Sequence, residues 1–209
     1  CRYMLGGTEV VVACCAFQDT GAVYDCDALV NSANSRLSHQ AGIAKAILQA
    51  AGPELSQECA SIIRRHQTVS TGSAVVTQAH QLSMFGFMSI IHAVAPIMTA
   101  LPGAEAPLRH QLREAISSAL QAAVTAGAKS VSIPGVGMGV FGWSCDVACR
   151  EIVLAIHEWL SSNPGHDLAR IVLFDVDSEV VGGFEGALAL LAGGALMPAP
   201  AAPLPPRLV

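Results

Sequence analysis

The sequence has few charged and few aromatic residues. Of its 209 residues, 13% are Asp, Glu, Lys or Arg and 5% are Phe, Trp or Tyr, whereas 52% are hydrophobic. This composition excludes a disordered chain and is ample for one core. The sequence has no run of Lys and Arg and a net charge of −5, which argues against nucleic acid as a partner. A single phosphorylated small molecule remains compatible, because backbone amides bind phosphate without cationic side chains.

Membrane-spanning and targeting segments are also missing. The longest apolar stretch, "VVGGFEGALALLAGGALMPA" at 180–199, contains Glu185, several glycines and a proline. We therefore predict no spanning helix and no membrane partner. The first residues do not form a basic and apolar signal segment. Because the first residue is Cys1 rather than Met, we expect the chain to be part of something longer.

Paired cysteine spacings are absent as well. Seven cysteines occur, none of them in a C-x-x-C arrangement, and Cys145 and Cys149 are four residues apart. We interpret the cysteines as unpaired, mostly buried thiols in a reducing compartment. The expectation is a cytoplasmic protein without a metal centre, in the host cytoplasm if the protein is viral.

Short apolar runs alternate with amphipathic segments along the chain. The runs predict strands at 9–17, 28–34, 72–79, 87–96, 129–136 and 169–176, and the amphipathic segments predict helices at 42–52, 53–66, 108–128, 145–162 and 178–191. Continuously apolar strands separated by helices indicate a sheet that is covered on both faces. We predict one α/β domain at 1–195, a three-layer α/β/α fold with a mostly parallel mixed sheet. A Pro/Ala-rich tail or linker follows at 196–209.

Two loops that leave predicted strands have unusual chemistry. "NSANSRLSHQAG" (31–42) and "PGVGMGVFGW" (134–143) each follow a buried strand and precede a helix. In open α/β sheets, ligands bind beyond the carboxyl ends of the strands. Glycines let backbone N–H groups approach an anion, and Asn offers a donor and an acceptor to sugar hydroxyls. The alternative is structural: the glycines form a tight turn, and Asn31 and Asn34 cap the helix or satisfy the loop backbone.

Taken together, these stretches resemble the signatures of macrodomains. The first signature is present as "VNSANSRLSHQAGIAKAI" and the second as "IPGVGMGVFGW", with "IIHAVAP" between them as the central strand. In addition, "AAGPELSQEC" is similar to the macrodomains attached to poly(ADP-ribose) polymerases. The resemblance covers about 10–191. It implies the macrodomain fold and ADP-ribose as the ligand, without a cofactor.

The resemblance also implies the residues of the site. Asn34 would bind the distal ribose, 40–43 would wrap this ribose and the adjacent phosphate, and the second loop would close over the diphosphate. Residues 174–176 would line the adenine side. The ligand-binding residues implied in this way are Phe17, Asp19, Asn31, Ala33, Asn34, Gln40, Ala41, Gly42, Ile43, Pro134, Gly135, Val136, Gly137, Met138, Gly139, Val140, Phe141, Phe174 and Asp175.

Many macrodomains remove ADP-ribose from acidic side chains, and the resemblance implies the same hydrolysis here, with mono-ADP-ribosylated proteins as partners. Asn34 would position the ribose and the attacking water. Gly42 and His39 are the other catalytic candidates, and His39 has the alternative of a loop histidine that faces solvent or another loop. We interpret His92 as a core histidine whose nitrogens are paired.

Two departures from the family pattern keep a second function open. Gln40 and Ala41 stand where the family has glycines, and a positive φ at Ala41 would strain the loop. The aspartate that often follows the first strand is replaced by Ala16 and Phe17, so that Asp19 would have to reach the adenine or Phe17 stack on it. The alternative to a hydrolase is thus a non-catalytic reader of mono-ADP-ribosylated proteins. By resemblance, neighbouring domains of a viral non-structural polyprotein are expected partners, and a host polymerase-associated module is the alternative context.

Overall fold

The computed structural model describes residues 1–98 and 103–194. The predicted tail at 196–209 lies outside the described residues, as does residue 195. The strands of the described part are β1 (Arg2–Leu5), β2 (Thr8–Cys14), β3 (Ala28–Ala33), β4 (Ala74–Gln78), β5 (Ser89–Val94), β6 (Ser130–Ile133) and β7 (Arg170–Asp175). The α-helices are α1 (Phe17–Ala22), α2 (Gly42–Ala51), α3 (Pro53–His66), α4 (Glu105–Thr125), α5 (Cys145–Ser162) and α6 (Ser178–Ala192), and the 3-10 helices are His80–Phe85 and Gly139–Phe141.

All seven strands form one mixed sheet, in the order β1-β2-β7-β6-β3-β5-β4. The five inner strands are parallel, and the edge strands β1 and β4 are antiparallel to their neighbours. Consequently the carboxyl ends of β2, β7, β6, β3 and β5 lie at the same edge of the sheet. This is the edge from which the two predicted ligand loops leave.

Helices cover both faces of the sheet and make the three predicted layers. Alternate strand residues point to opposite faces: Val10 and Val30 pack with α4, α5 and α6, whereas Val11 and Leu29 pack with α1, α2 and α3. Most side chains of the five inner strands are buried and aliphatic, which is the pattern expected of parallel strands between helical layers. No α-helix among the described residues is long and apolar enough to cross a membrane.

Most predicted segments differ from the observed elements by up to about three residues at their ends, and the predicted strand at 9–17 ends at Cys14, with Phe17 beginning α1. β1 was not predicted, although Gly6 and Gly7, both with positive φ, separate it from β2 in a two-residue turn. Two adjacent glycines between apolar runs are a hairpin signal. Helix α4 begins at Glu105 instead of 108, because Pro107 falls in the first turn, where its missing N–H breaks no helical hydrogen bond.

Candidate functional site

The two predicted ligand loops border one cleft. β3 and β6 are hydrogen-bonded neighbours, so the loops that follow them leave the sheet side by side. The cleft between them has a volume of about 320 Å³. It is lined by Ser32, Asn34, Ser38, Gln40, Ala41, Gly42, Ile43 and Ala44 from the first loop and α2, and by Gly135, Met138, Gly139, Val140 and Phe141 from the second loop.

The Asn34 side chain folds the first loop around itself. Its Oδ1 accepts the backbone N–H groups of Arg36 and Ser38, each at 3.1 Å. Its Nδ2 donates to the Ser38 hydroxyl at 2.8 Å and to the Ser38 carbonyl at 3.1 Å. Asn34 therefore lines the cleft as predicted, but its amide is already engaged. A bond to a ribose hydroxyl would have to exchange with one of the Ser38 contacts.

The departure at Ala41 causes no backbone strain. Ala41 is the residue before helix α2 and has an extended conformation, with φ −149°. The residue that adopts positive φ is Gly42, at +57°. The glycine that the loop geometry needs is therefore present, and the strain considered for Ala41 does not occur. The first amides of α2, which have no partner within the helix, open onto the cleft.

The second loop presents only part of its length to the cleft. Gly135, Met138, Gly139, Val140 and Phe141 line it, whereas Pro134, Val136 and Gly137 are buried behind it. Val136 packs in the core, and the Gly137 N–H donates to the Ser32 hydroxyl at 3.2 Å. That bond ties the second loop to the end of β3. Contact of Pro134, Val136 and Gly137 with a ligand stays a prediction. Gly137, with φ +87°, also lies so close to Trp143 that a Cβ would meet the indole at 3.0 Å.

The residues predicted on the adenine side lie outside this cleft. Phe17 and Phe174 are buried in the core next to α1. Their place beside adenine stays a prediction. Asp19 is exposed, and its carboxylate accepts the Ala16 N–H at 3.3 Å. Asp175 ends β7, and its Oδ1 accepts the Asp177 N–H at 3.0 Å. Both carboxylates thus hold their own loops at the same edge of the sheet.

Three further predicted residues face the interior. Ala33 is buried at the end of β3, and Asn31 is fully buried with its Nδ2 3.0 Å from Nδ1 of His92. His39 is only 8% exposed and does not line the cleft. Its Nε2 lies 3.3 Å from the same Nδ1 of His92, and burial lowers the pKa of His39. Contact of Asn31, Ala33 or His39 with a ligand is therefore not supported, whereas the interpretation of His92 as a paired core histidine is confirmed.

A larger depression lies on another part of the surface. It has a volume of about 830 Å³, lies between β4, α4 and the end of α5, and is open and shallow. Its walls include Ser118, Gln121 and Trp159, and none of the predicted site residues. We place the site in the smaller cleft because that cleft lies at the carboxyl ends of two adjacent parallel strands and is lined by two glycine-containing loops.

All seven cysteines are free.

Comparison with known proteins identifies the family. The model of the Macro domain family matches residues 30–152. The human protein mono-ADP-ribosyltransferase PARP14 is 36% identical over 184 residues, which are 86% of this chain and 10% of PARP14. The O-acetyl-ADP-ribose deacetylase of Citrobacter rodentium is 32% identical over 152 residues, 73% of this chain and 82% of the deacetylase. A mutant macrodomain of Oceanobacillus iheyensis, solved with ADPR, has the same fold, with a TM-score of 0.79 at 22% identity over 92% of this chain and 98% of that one. The chain belongs to the Macro domain family.

Proposed function

We propose that the cleft binds ADP-ribose and that the protein hydrolyses mono-ADP-ribose from Asp and Glu side chains of modified proteins. The observation that carries the proposal is the pairing of two loops at the ends of β3 and β6, with Gly42 and Gly139 both at positive φ and both at the cleft. Family membership, the deacetylase relative and the solved macrodomain with ADPR support the choice of ligand.

The cleft is suited to a pyrophosphate held by main-chain groups. The described residues that line it carry no formal charge, so side-chain cations do not supply the attraction. The first residues of helix α2, 42–44, line the cleft, which brings the positive end of the helix dipole and its unpaired first amides to the ligand. Across from it, the open space around Gly139 lets a ligand approach the backbone closely. The hydroxyl of Ser38 and the amide of Asn34 can supply donors and acceptors for ribose hydroxyls when their mutual hydrogen bond is exchanged for the ligand.

Hydrolysis in this cleft would depend on orientation. In the reaction, water adds to the anomeric carbon or to the ester carbonyl, the ester C–O bond breaks, and the protein carboxylate is released. The described lining contains no Asp, Glu, His or Lys that could act as a general base. The protein would therefore hold the ribose and the water, with a phosphate of the ligand as the assisting group.

The same observation favours the second candidate function. A cleft without a titratable side chain among its described lining residues can bind ADP-ribose without turning it over. A reader of mono-ADP-ribosylated proteins would need only the two loops. The similarity to a segment of PARP14 supports a module of a multidomain, polymerase-associated protein more than the viral polyprotein. A cytoplasmic location remains part of the proposal.

A time course separates the two functions. A protein that carries mono-ADP-ribose on Glu is incubated with the wild type, with Asn34→Ala and with Gln121→Ala, a control in the shallow depression. Hydrolysis predicts loss of the label with the wild type and the control, and retention with Asn34→Ala. If the label is retained by all three while the wild type binds ADP-ribose, the protein is a reader. If the wild type neither binds nor hydrolyses, the proposal is wrong.

A further inference from the structure

Five buried polar side chains meet beneath the first loop of the cleft. We call them the histidine network: Asn31 on β3, His39 in the loop, Cys59 on α3, Thr77 on β4 and His92 on β5. Each is at most 8% exposed. Of the five, none lines the cleft. The hydrolysis proposed above does not use these side chains. One helix, one loop and three strands supply the five residues of the network.

His92 is the centre of the network and presents a different nitrogen to each side. Its Nδ1 faces Asn31 Nδ2 at 3.0 Å and His39 Nε2 at 3.3 Å. Its Nε2 faces the Thr77 hydroxyl at 3.0 Å and Cys59 Sγ at 3.9 Å. With the Asn31 amide in this orientation, its Nδ2 donates and Nδ1 of His92 accepts, so the imidazole proton lies on Nε2, directed to Thr77. The Oδ1 of Asn31 has no partner among the described residues.

His39 connects this network to the cleft. Its neighbours in sequence, Ser38 and Gln40, both line the cleft and are exposed. The His39 ring instead turns inward and packs edge-on against His92, with ring centroids 5.2 Å apart. His39 therefore attaches the exposed loop to the buried strand β5. The point of attachment lies between Ser38 and Gln40, two residues that would contact the ligand. Asn34 braces the same loop from the cleft side.

We propose that His92 and His39 are positioning residues for the ADP-ribose cleft. Nδ1 of His92, shared with Asn31, and the edge-on packing of the two rings hold His39, and His39 holds Ser38, Gln40 and Ala41 in the arrangement that meets the ligand. Both side chains are buried and neither lines the cleft, so the pair acts on the ligand through the loop. This inference rests on the proposed function for its ligand, but the attachment of the loop can be measured without any ligand.

The network is better explained as hydrogen bonds than as a metal site. His39, Cys59 and His92 each have one atom that could ligate a metal, and these three atoms lie within 4.8 Å of one another. However, the His92 nitrogen that faces His39 is Nδ1, whereas the one near Cys59 is Nε2. A single ion bound to one ring nitrogen would not meet both partners in the observed ring orientation. Metal binding is nevertheless one outcome of the experiment below.

Two substitutions of His92 form a matched test. His92→Asn places a carbonyl oxygen near the position of Nδ1 and retains an acceptor for His39. His92→Gln reaches toward Thr77 and leaves His39 without that acceptor. We expect His92→Gln to weaken ADP-ribose binding roughly fivefold to tenfold, the equivalent of about one hydrogen bond. It should also speed hydrogen exchange of the loop amides at 38–42 without ligand. His92→Asn should stay close to the wild type in both, and His39→Phe, which keeps the ring without Nε2, should resemble His92→Gln.

Thr77→Val is the control, because it removes the contact on the other side of the ring. It should lower the free energy of unfolding without changing binding or loop exchange. If binding weakens in all variants in proportion to their lost stability, or if loop exchange is unchanged in His92→Gln and His39→Phe, the positioning role is refuted. If EDTA abolishes wild-type binding and zinc restores it, the network is a metal centre instead. A wild type that does not bind ADP-ribose refutes the proposed function, and loop exchange alone then decides the positioning role.

Discussion

At the scale of single residues, Ala41 and Gly42 are adjacent in one loop but differ in backbone conformation, and therefore in which side chains they can carry without strain. Ala41 is extended, and Gly42 has φ +57° with no atom near the place of a Cβ. We expect Gly42→Ala to lower the free energy of unfolding by about 1 kcal/mol, because an L-residue is strained at this φ while nothing clashes. Ala41→Gly, the matched control, should change it by less than about 0.5 kcal/mol. Urea unfolding measures both, and equal losses would contradict this assignment of backbone strain.

The buried histidines make stability depend on pH. Burial, with a smaller contribution from His39, lowers the pKa of His92 to about 3, and burial also lowers the pKa of His39. Below about pH 6.5 the unfolded chain therefore binds protons that the folded protein does not, so stability falls as the pH falls. Between about pH 6.5 and its folded-state pKa of about 3, His92 contributes about 1.4 kcal/mol per pH unit, and His39 contributes in the same direction.

We expect the free energy of unfolding to drop between pH 7 and pH 5 and to drop less in His92→Asn, which has one buried histidine fewer. Chemical denaturation at a series of pH values is the measurement. The same slope in both proteins would show that His92 is protonated in the folded state.

The direction of a loop side chain is the least predictable feature at this scale. Asn34 and His39 are polar residues of the same loop, and the sequence predicted both at the ligand. Only the packing of β5 and α3 shows that His39 turns inward, since the acceptor that holds it is His92, 53 residues away. The burial of Phe17 and Phe174 was likewise not evident, because local pattern does not show which apolar residues near a strand end the core covers.

At the scale of elements, the second loop depends on two glycines that differ in their surroundings. Gly137 and Gly139 both have positive φ, but a Cβ at Gly137 would press against Trp143, whereas Gly139 has open space. Gly139→Ala should therefore cost about 1 kcal/mol of stability, from backbone strain alone. Gly137→Ala should cost at least about 2 kcal/mol, because the indole is fixed by its bond to the Pro96 carbonyl and must shift.

Thermal or urea unfolding of the two variants tests this difference. Gly139→Ala should in addition weaken ADP-ribose binding, since its new methyl group occupies the cleft. If the two variants lose the same stability, the contact with Trp143 does not limit the loop.

The elements themselves were largely predictable. The apolar runs at 28–34 and 169–176 became β3 and β7, and the helices at 53–66 and 145–162 have the predicted bounds. Local pattern could not give the order of the strands, because the strands that pair are far apart in sequence. β6 follows β3 by more than a hundred residues and precedes β7 by about forty. The resemblance of the two loops to macrodomain signatures supplied this long-range information.

At the scale of the whole molecule, the net charge of the chain does not determine how the cleft attracts its ligand. The chain carries a net charge of −5, yet the proposed ligand is a dianionic pyrophosphate. Main-chain amides at short range are little screened by salt, whereas attraction from distant side chains is screened within about 10 Å at moderate ionic strength. We expect the dissociation constant for ADP-ribose to change less than about threefold between about 50 and about 300 mM NaCl. A much steeper loss of affinity with salt would show that a cation such as Arg36 or Lys45 binds the phosphates.

The central claim is that one ADP-ribose binds between the loops at the ends of β3 and β6. The most direct measurement is a titration of the isotope-labelled protein with ADP-ribose, followed by the NMR signals of its backbone amides. We predict saturation at one ligand per chain, with the largest shifts at 38–43 and 135–141, including Gly42 and Gly139. Largest shifts around Ser118 and Gln121 in the shallow depression, or no shifts at all, would contradict it.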